Sequence, residues 1–116
     1  TLTEVLRDFL EHEGYQVAVV HSGVEGVKMI MNDSFDLILC DMVMPSMRGD
    51  MFYKAVERTK PHLCKRFIFM TGHQSDKDVN DFIRSIKGLV LWKPFEMYEL
   101  TQAIGLIVKE IEAGKA

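Results

Sequence analysis

Short apolar runs alternate with longer amphipathic segments along the chain, and this alternation restricts its possible folds more than any other feature. The runs contain about four to six residues and lie at 17–20, 35–40, 67–70 and 89–92, interrupted only by Asp36. Strands that are apolar on both faces are typical of a parallel sheet covered by helices on each side. The pattern therefore predicts an α/β fold with a doubly wound parallel sheet.

The segments between these runs have the spacing of amphipathic helices. Two of them open with a hydroxyl residue placed three positions before a glutamate, a pattern that caps helices: Thr1 with Glu4 and Ser22 with Glu25. Gly14 predicts the end of the first helix. Later helices are predicted at 50–59, at 75–86 and from Glu96 onward. With no repeat or linker in this order, we expect one domain over residues 1–116.

The charge and the cysteines narrow the class of protein. The formal net charge is −3, with acidic and basic residues interspersed, which does not indicate a basic face for nucleic acid. The apolar runs are far shorter than the roughly 18 residues that cross a membrane. Cys40 and Cys64 lie in or beside apolar runs, as expected for reduced, buried thiols of a cytoplasmic protein.

Polar residues stand where the predicted strands end, which is where open parallel sheets form their sites. They are His21, Asp41, Thr71 and Lys93. A carboxylate such as Asp41 is fixed there by its strand and yet reachable, as a nucleophile must be. Lys93 requires an anionic partner at the end of a buried strand, and Asp41 is the nearest candidate. A desolvated pair of these two residues would contribute about 1–3 kcal/mol to stability. His21 is more simply explained as a structural or solvated histidine.

Residues 35–45, 67–72 and 93–95, together with Gly49, resemble the response regulator receiver family, and the intervals between Asp41, Thr71 and Lys93 match it. The resemblance covers essentially the whole chain and implies a flavodoxin-like (βα)5 receiver fold. It also implies a cytoplasmic domain of a two-component phosphorelay, which catalyses its own phosphorylation and dephosphorylation. The implied partner is a histidine kinase or a phosphotransfer domain. No membrane or direct nucleic-acid contact is implied, and a homodimer is left open.

The resemblance also implies a role for each site residue. Asp41 would accept a phosphoryl group from a phosphohistidine, the Thr71 hydroxyl would donate to one phosphoryl oxygen, and Lys93 would pair with another. Mg²⁺ would be bound by Asp41 and by the backbone carbonyl of Val43, and the Lys93–Pro94 bond would be cis. Residues 88–95 are more similar to the receivers of hybrid histidine kinases than to those of DNA-binding regulators.

The chain departs from the family at its front and at Val90 in its last predicted strand. It has neither the first strand nor the two acidic residues that precede the first helix in this family, so we expect weak Mg²⁺ binding. Such a central strand would bury about five side chains worth roughly 7–15 kcal/mol. We therefore expect residues upstream of Thr1, or another chain, to supply it. Val90 stands where many receivers have an aromatic side chain that rotates on activation.

Two other functions remain as alternatives from the residues alone. The chain could be a pseudo-receiver, an interaction module that keeps the fold and is not phosphorylated. It could also be a phosphatase similar to the haloacid dehalogenases, which likewise use an aspartate at a strand end. That family requires a second aspartate two residues after the nucleophile, where this chain has Val43.

Overall fold

The structure is a computed structural model that describes residues 1–42, 47–72 and 77–115. Its elements in chain order are α1 (Leu2–His12), α2 (Gly23–Asn32), β1 (Ile38–Asp41), α3 (Gly49–Thr59), a 3-10 helix (Pro61–Arg66), β2 (Phe67–Thr71), α4 (Lys77–Ser85), β3 (Leu89–Trp92) and α5 (Met97–Lys115).

The strands form a parallel sheet in the order β1-β2-β3, so that β2 lies between the other two. In register, Phe69 of β2 stands beside Cys40 of β1 on one side and Val90 of β3 on the other. Every residue of β2 is buried. A central strand that is apolar on both faces requires cover on both sides, and this explains why the chain alternates strands with amphipathic helices.

Two separate apolar cores cover the faces of the sheet. One packs α2, α3 and the 3-10 helix against the sheet, and its largest fully buried members are Phe67 and Phe69. The other packs α1 and α5 against the opposite face, around Ile68 and Leu100. Alternate residues of β2 therefore point into different cores. This arrangement confirms the predicted doubly wound α/β fold.

The predicted helix ends are present. The Thr1 hydroxyl accepts a hydrogen bond from the Glu4 amide at 3.3 Å, and the Glu4 side chain accepts one in return, which completes the capping box of α1. The Ser22 hydroxyl accepts from the Glu25 amide at 3.2 Å. Gly14 follows α1 with φ of 96°, in the region of backbone conformation that favours glycine.

The prediction of a strand at residues 17–20 was wrong. Within the described part of the chain, the sheet contains β1, β2 and β3, and it ends at β1. A strand forms only beside a neighbour that satisfies its backbone groups, and residues 17–20 have no such neighbour in the described sheet. The 3-10 helix was not predicted, and β1 begins three residues later than the apolar run.

No helix within the described ranges combines the length and the apolarity of a membrane span.

Candidate functional site

The carboxyl end of β1 places Asp41 at the edge of the sheet. Its register partner is Met70 of β2, and the Met42 amide donates to the Met70 carbonyl at 3.1 Å, so the pairing continues one residue past Asp41. The side chain of Asp41 is 36% exposed. The carboxylate is therefore fixed by the backbone beneath it and can still be reached from solvent.

Thr71 and Lys93 are brought to the same edge by the next two strands. Thr71 is the last residue of β2 and is buried. Its carbonyl accepts a hydrogen bond from the Lys93 amide at 2.7 Å, one residue after the end of β3. The Lys93–Pro94 peptide bond is cis, as the sequence resemblance implied.

An ion pair joins Lys93 to Asp41. The Lys93 Nζ donates to Asp41 Oδ2 at 2.5 Å, which confirms the predicted contact across the ends of β1 and β3. The two side chains are 31% and 36% exposed, so water screens the pair. An ion pair of that exposure contributes about 0–1 kcal/mol to stability. The 1–3 kcal/mol expected for a desolvated pair therefore does not apply.

Gly49, the first residue of α3, lies directly against Asp41 and Met42. Its amide donates to the Met42 carbonyl at 3.0 Å. A Cβ atom at this position would lie 2.9 Å from both the Asp41 carbonyl oxygen and the Met42 Cα, which is closer than real Cβ atoms approach backbone. The absence of a side chain at Gly49 therefore permits the start of α3 to approach the end of β1 this closely.

Gly23 is a residue of this region that the sequence analysis missed. It is the first residue of α2, and a Cβ atom there would overlap the Met47 side chain. The first turn of α2 thus packs directly on the end of the loop that follows Asp41. The sequence contains one signal for this contact, a small residue directly after the Ser22 cap.

Cys40 is adjacent to Asp41 but is not a second nucleophile. It is 3% exposed, and burial, followed by the negative charge of Asp41, raises the pKa of its thiol to about 12. The nucleophilic form of cysteine is the thiolate. At neutral pH the Cys40 thiol is protonated and enclosed, so the reactive oxygen at this edge belongs to Asp41.

The described residues by themselves do not fit a resident Mg²⁺ ion. In residues 1–42, 47–72 and 77–115, no group of three or more histidine, cysteine, aspartate or glutamate side chains could hold a metal. Mg²⁺ requires about six hard oxygen ligands in octahedral order. Asp41 supplies a carboxylate, and Val43, whose carbonyl was predicted as a ligand, lies outside the described residues.

The remaining candidates have other surroundings. His21 is exposed and lines a groove of about 530 Å³ together with Thr1, Thr3, Glu4, Arg7, Val17 and Val19. Arg48 is an exposed arginine, and its Nε lies 3.2 Å from Asp50 Oδ1 at the start of α3. The structure therefore groups Asp41, Thr71 and Lys93 and leaves His21 in the groove.

Removing the lysine from the ion pair tests how much the pair stabilises the resting site. We expect Lys93→Ala to lower the free energy of unfolding by about 1 kcal/mol or less, because water already screens both partners. Urea denaturation of the variant and of the parent measures the difference. Lys54→Ala, at an exposed position on α3, is the matched control. A loss above about 3 kcal/mol would show that the pair is far more desolvated than its exposure indicates.

Comparison with known proteins assigns the whole arrangement to one family. The family model described as the response regulator receiver domain matches residues 1–105. The transcriptional regulatory protein CpxR of Escherichia coli is 32% identical over 114 residues, which cover 93% of this chain and 45% of CpxR. The chain therefore spans less than half the length of that relative.

Solved structures share the fold. A receiver domain protein from Methanospirillum hungatei, described as CheY-like, superposes with a TM-score of 0.87 at 24% identity and covers 97% of this chain and 89% of its own. The receiver domain of the sensor histidine kinase PA1611 of Pseudomonas aeruginosa was solved with magnesium in its active-site cleft. It superposes with a TM-score of 0.75 at 23% identity, and the match covers 89% of this chain and 88% of its own.

Proposed function

The chain belongs to the response regulator receiver domain family of two-component signalling, and from this membership we propose that Asp41 is the residue that accepts the phosphoryl group. The observation that carries the proposal is the ion pair between Lys93 and Asp41 at the carboxyl edge of the sheet. An exposed carboxylate on a rigid strand end, beside a cation and a hydroxyl residue, has the parts that phosphoryl transfer to an aspartate requires.

In the proposed step, an Asp41 carboxylate oxygen attacks the phosphorus of a phosphohistidine. The new O–P bond forms as the P–N bond breaks, and the imidazole nitrogen keeps the electron pair of that bond. Lys93 moves from the carboxylate to an oxygen of the arriving phosphoryl group, where its charge offsets the negative charge. Thr71, at the end of the neighbouring strand, donates its hydroxyl to another phosphoryl oxygen.

The pseudo-receiver alternative is less well supported by these residues. An interaction module that takes no phosphate has no need for an ammonium paired with a strand-end carboxylate, or for a threonine at the adjacent strand end. This chain retains Asp41, Thr71 and Lys93 together. The phosphatase alternative lacks its second aspartate, because Val43 stands at that position.

Receiver domains typically bind Mg²⁺ in the active site, and these 116 residues taken alone should bind it weakly. The reason is that Asp41 supplies a carboxylate where the ion requires several hard oxygens. A Mg²⁺ titration followed by the fluorescence of Trp92, which directly precedes Lys93, measures the affinity. Saturation at micromolar Mg²⁺ would contradict weak binding.

The partners follow from the same chemistry. A phosphohistidine donor belongs to a histidine kinase or a phosphotransfer domain. We propose that the receiver itself acts in the cytoplasm. We propose that residues 1–116 act as one domain that binds no nucleic acid directly. The similarity of residues 88–95 to hybrid kinases favours a receiver attached to a kinase.

Labelling by a small-molecule phosphodonor tests the function. The protein at its full natural length, incubated with acetyl phosphate and Mg²⁺, should gain one phosphoryl group by intact mass, and hydroxylamine should remove it because the linkage is an acyl phosphate. Chelation of Mg²⁺ should suppress the gain. A protein that folds and binds its kinase but gains no phosphoryl group from acetyl phosphate or from that kinase would support the pseudo-receiver instead.

A further inference from the structure

Helix α4 is the least buried helix in the described part of the fold. None of its residues, Lys77–Ser85, is buried, and its apolar side chains are only partly covered. Helices α1, α2 and α3 each contribute buried residues to a core. An element with little buried apolar surface can be displaced at low cost in free energy, and such elements are the ones that change position in switches.

Phe82 packs α4 against α3 and β2 through two aromatic contacts. Its ring meets the ring of Tyr53 on α3 edge-on, with centroids 5.5 Å apart and planes at 81°. It meets the ring of Phe69 on β2 in the same way, at 5.5 Å and 85°. The rings of Tyr53 and Phe69 also contact each other at 5.7 Å. The Phe82 ring thus packs against both α3 and the central strand, and we call these three rings the aromatic clamp.

The central strand connects this clamp to the candidate site. Phe69 precedes Thr71 by two residues on β2, so the two side chains point to the same face of the sheet. Phe69 is fully buried and Tyr53 is 4% exposed, so neither ring has room to move independently. The Tyr53 hydroxyl also accepts a hydrogen bond from the Lys87 amide at 3.3 Å, just beyond α4.

At the level of Phe69, the neighbouring strand β3 carries no ring, and its aromatic residue Trp92 stands beside Thr71 instead. Val90 on β3 is the register partner of Phe69 and packs against the same core, but its branched side chain has few orientations to choose from. On this face of the sheet the aromatic contacts run from β2 to α4 and α3.

We propose that Phe82 is the coupling residue through which the state of Asp41 sets the position of α4. The inference rests on the proposed function of Asp41. A phosphoryl group that draws Thr71 toward it shifts the end of β2 and, with it, the Phe69 ring. The Phe82 ring follows because it contacts the Phe69 ring edge-on, and α4 moves with Phe82. The side chain of Val90 takes no part in this route.

The test compares two conservative substitutions one position apart on α4, made in the protein at its full natural length. Phe82→Leu removes the ring and keeps an apolar side chain, whereas Ile83→Leu alters a partly buried residue outside the ring contacts. Amide hydrogen exchange of α4 is measured in the presence of Mg²⁺, with and without beryllofluoride, which mimics the phosphoryl group. We expect exchange in the parent and in Ile83→Leu to change about tenfold, and in Phe82→Leu less than about twofold.

Labelling of Asp41 by acetyl phosphate is measured in the same samples and separates the two hypotheses. An unlabelled parent would contradict the proposed function. A labelled Phe82→Leu variant whose α4 responds as fully as that of the parent overturns the coupling role of Phe82, and so does a labelled parent whose α4 does not respond. If circular dichroism shows that Phe82→Leu does not fold, Phe82→Met replaces it with the same expected loss of response.

Discussion

Replacing Asp41 with asparagine should abolish phosphorylation. An amide at this position is not a nucleophile toward phosphorus, and the reactive oxygen at this edge of the sheet belongs to Asp41, since the neighbouring Cys40 thiol is buried and protonated. Labelling by acetyl phosphate or by the cognate kinase should fall about a hundredfold or more, to the background of the assay. Intact mass of the labelled protein, followed by peptide mapping, measures the loss.

Asp36→Asn is the matched control for this experiment. Asp36 lies shortly before β1, five residues from Asp41, and its exposed side chain is 3.9 Å from Arg66. The control carries the same chemical change in the same segment and should be labelled at the rate of the parent. Labelling of Asp41→Asn at that rate would place the phosphoacceptor elsewhere, while loss of labelling in both variants would indicate damage to β1.

The central pair of the site was predictable because the topology determines it. Once short apolar runs indicate a parallel sheet, every strand ends at the same edge, and the polar residues that follow the strands must meet there. Asp41 and Lys93 are separated by 52 residues in sequence and follow strands on either side of β2, so their contact also requires the length of the lysine side chain. The exposure of the pair was not predictable, because it depends on how loops cover the edge, and it reduces the expected contribution of the pair.

The prediction at residues 17–20 failed for a physical reason that applies to any strand assignment. A valine-rich segment has the side chains of a strand, but hydrogen bonding to a neighbour makes it one. The segment 17–20 lies outside the described sheet, which ends at β1. Sequence patterns describe what a segment prefers, whereas pairing depends on what stands beside it.

The contacts among the aromatic rings on α3, β2 and α4 could not be predicted from the sequence either. Tyr53, Phe69 and Phe82 each match the apolar spacing of their own element, and nothing in that spacing specifies that their rings meet edge-on. Such contacts depend on the packing angles between elements that are distant in sequence. The sequence did indicate one relevant fact, that Val90 leaves β3 without an aromatic side chain at this level.

Replacing Gly88, where β3 approaches the central strand, with a larger residue should destabilise the fold. Gly88 directly precedes β3, and a Cβ atom there would overlap the Phe67 carbonyl oxygen and lie 3.0 Å from the Phe67 Cβ. The obstacle is mainly backbone of the central, fully buried strand, which cannot rotate away. We expect Gly88→Ala to lower the free energy of unfolding by about 1–3 kcal/mol, the usual cost of overpacking a core.

Gly105→Ala provides the control of opposite sign. Gly105 lies within α5, and a Cβ atom added there would meet nothing within 4 Å. Because alanine loses less backbone entropy than glycine in a helix, this variant should be more stable by about 0.5–1 kcal/mol. Urea denaturation of both variants and of the parent measures the two changes together. If Gly88→Ala proved as stable as the parent while Gly105→Ala showed its expected gain, β3 would have to lie farther from Phe67 than the structure places it.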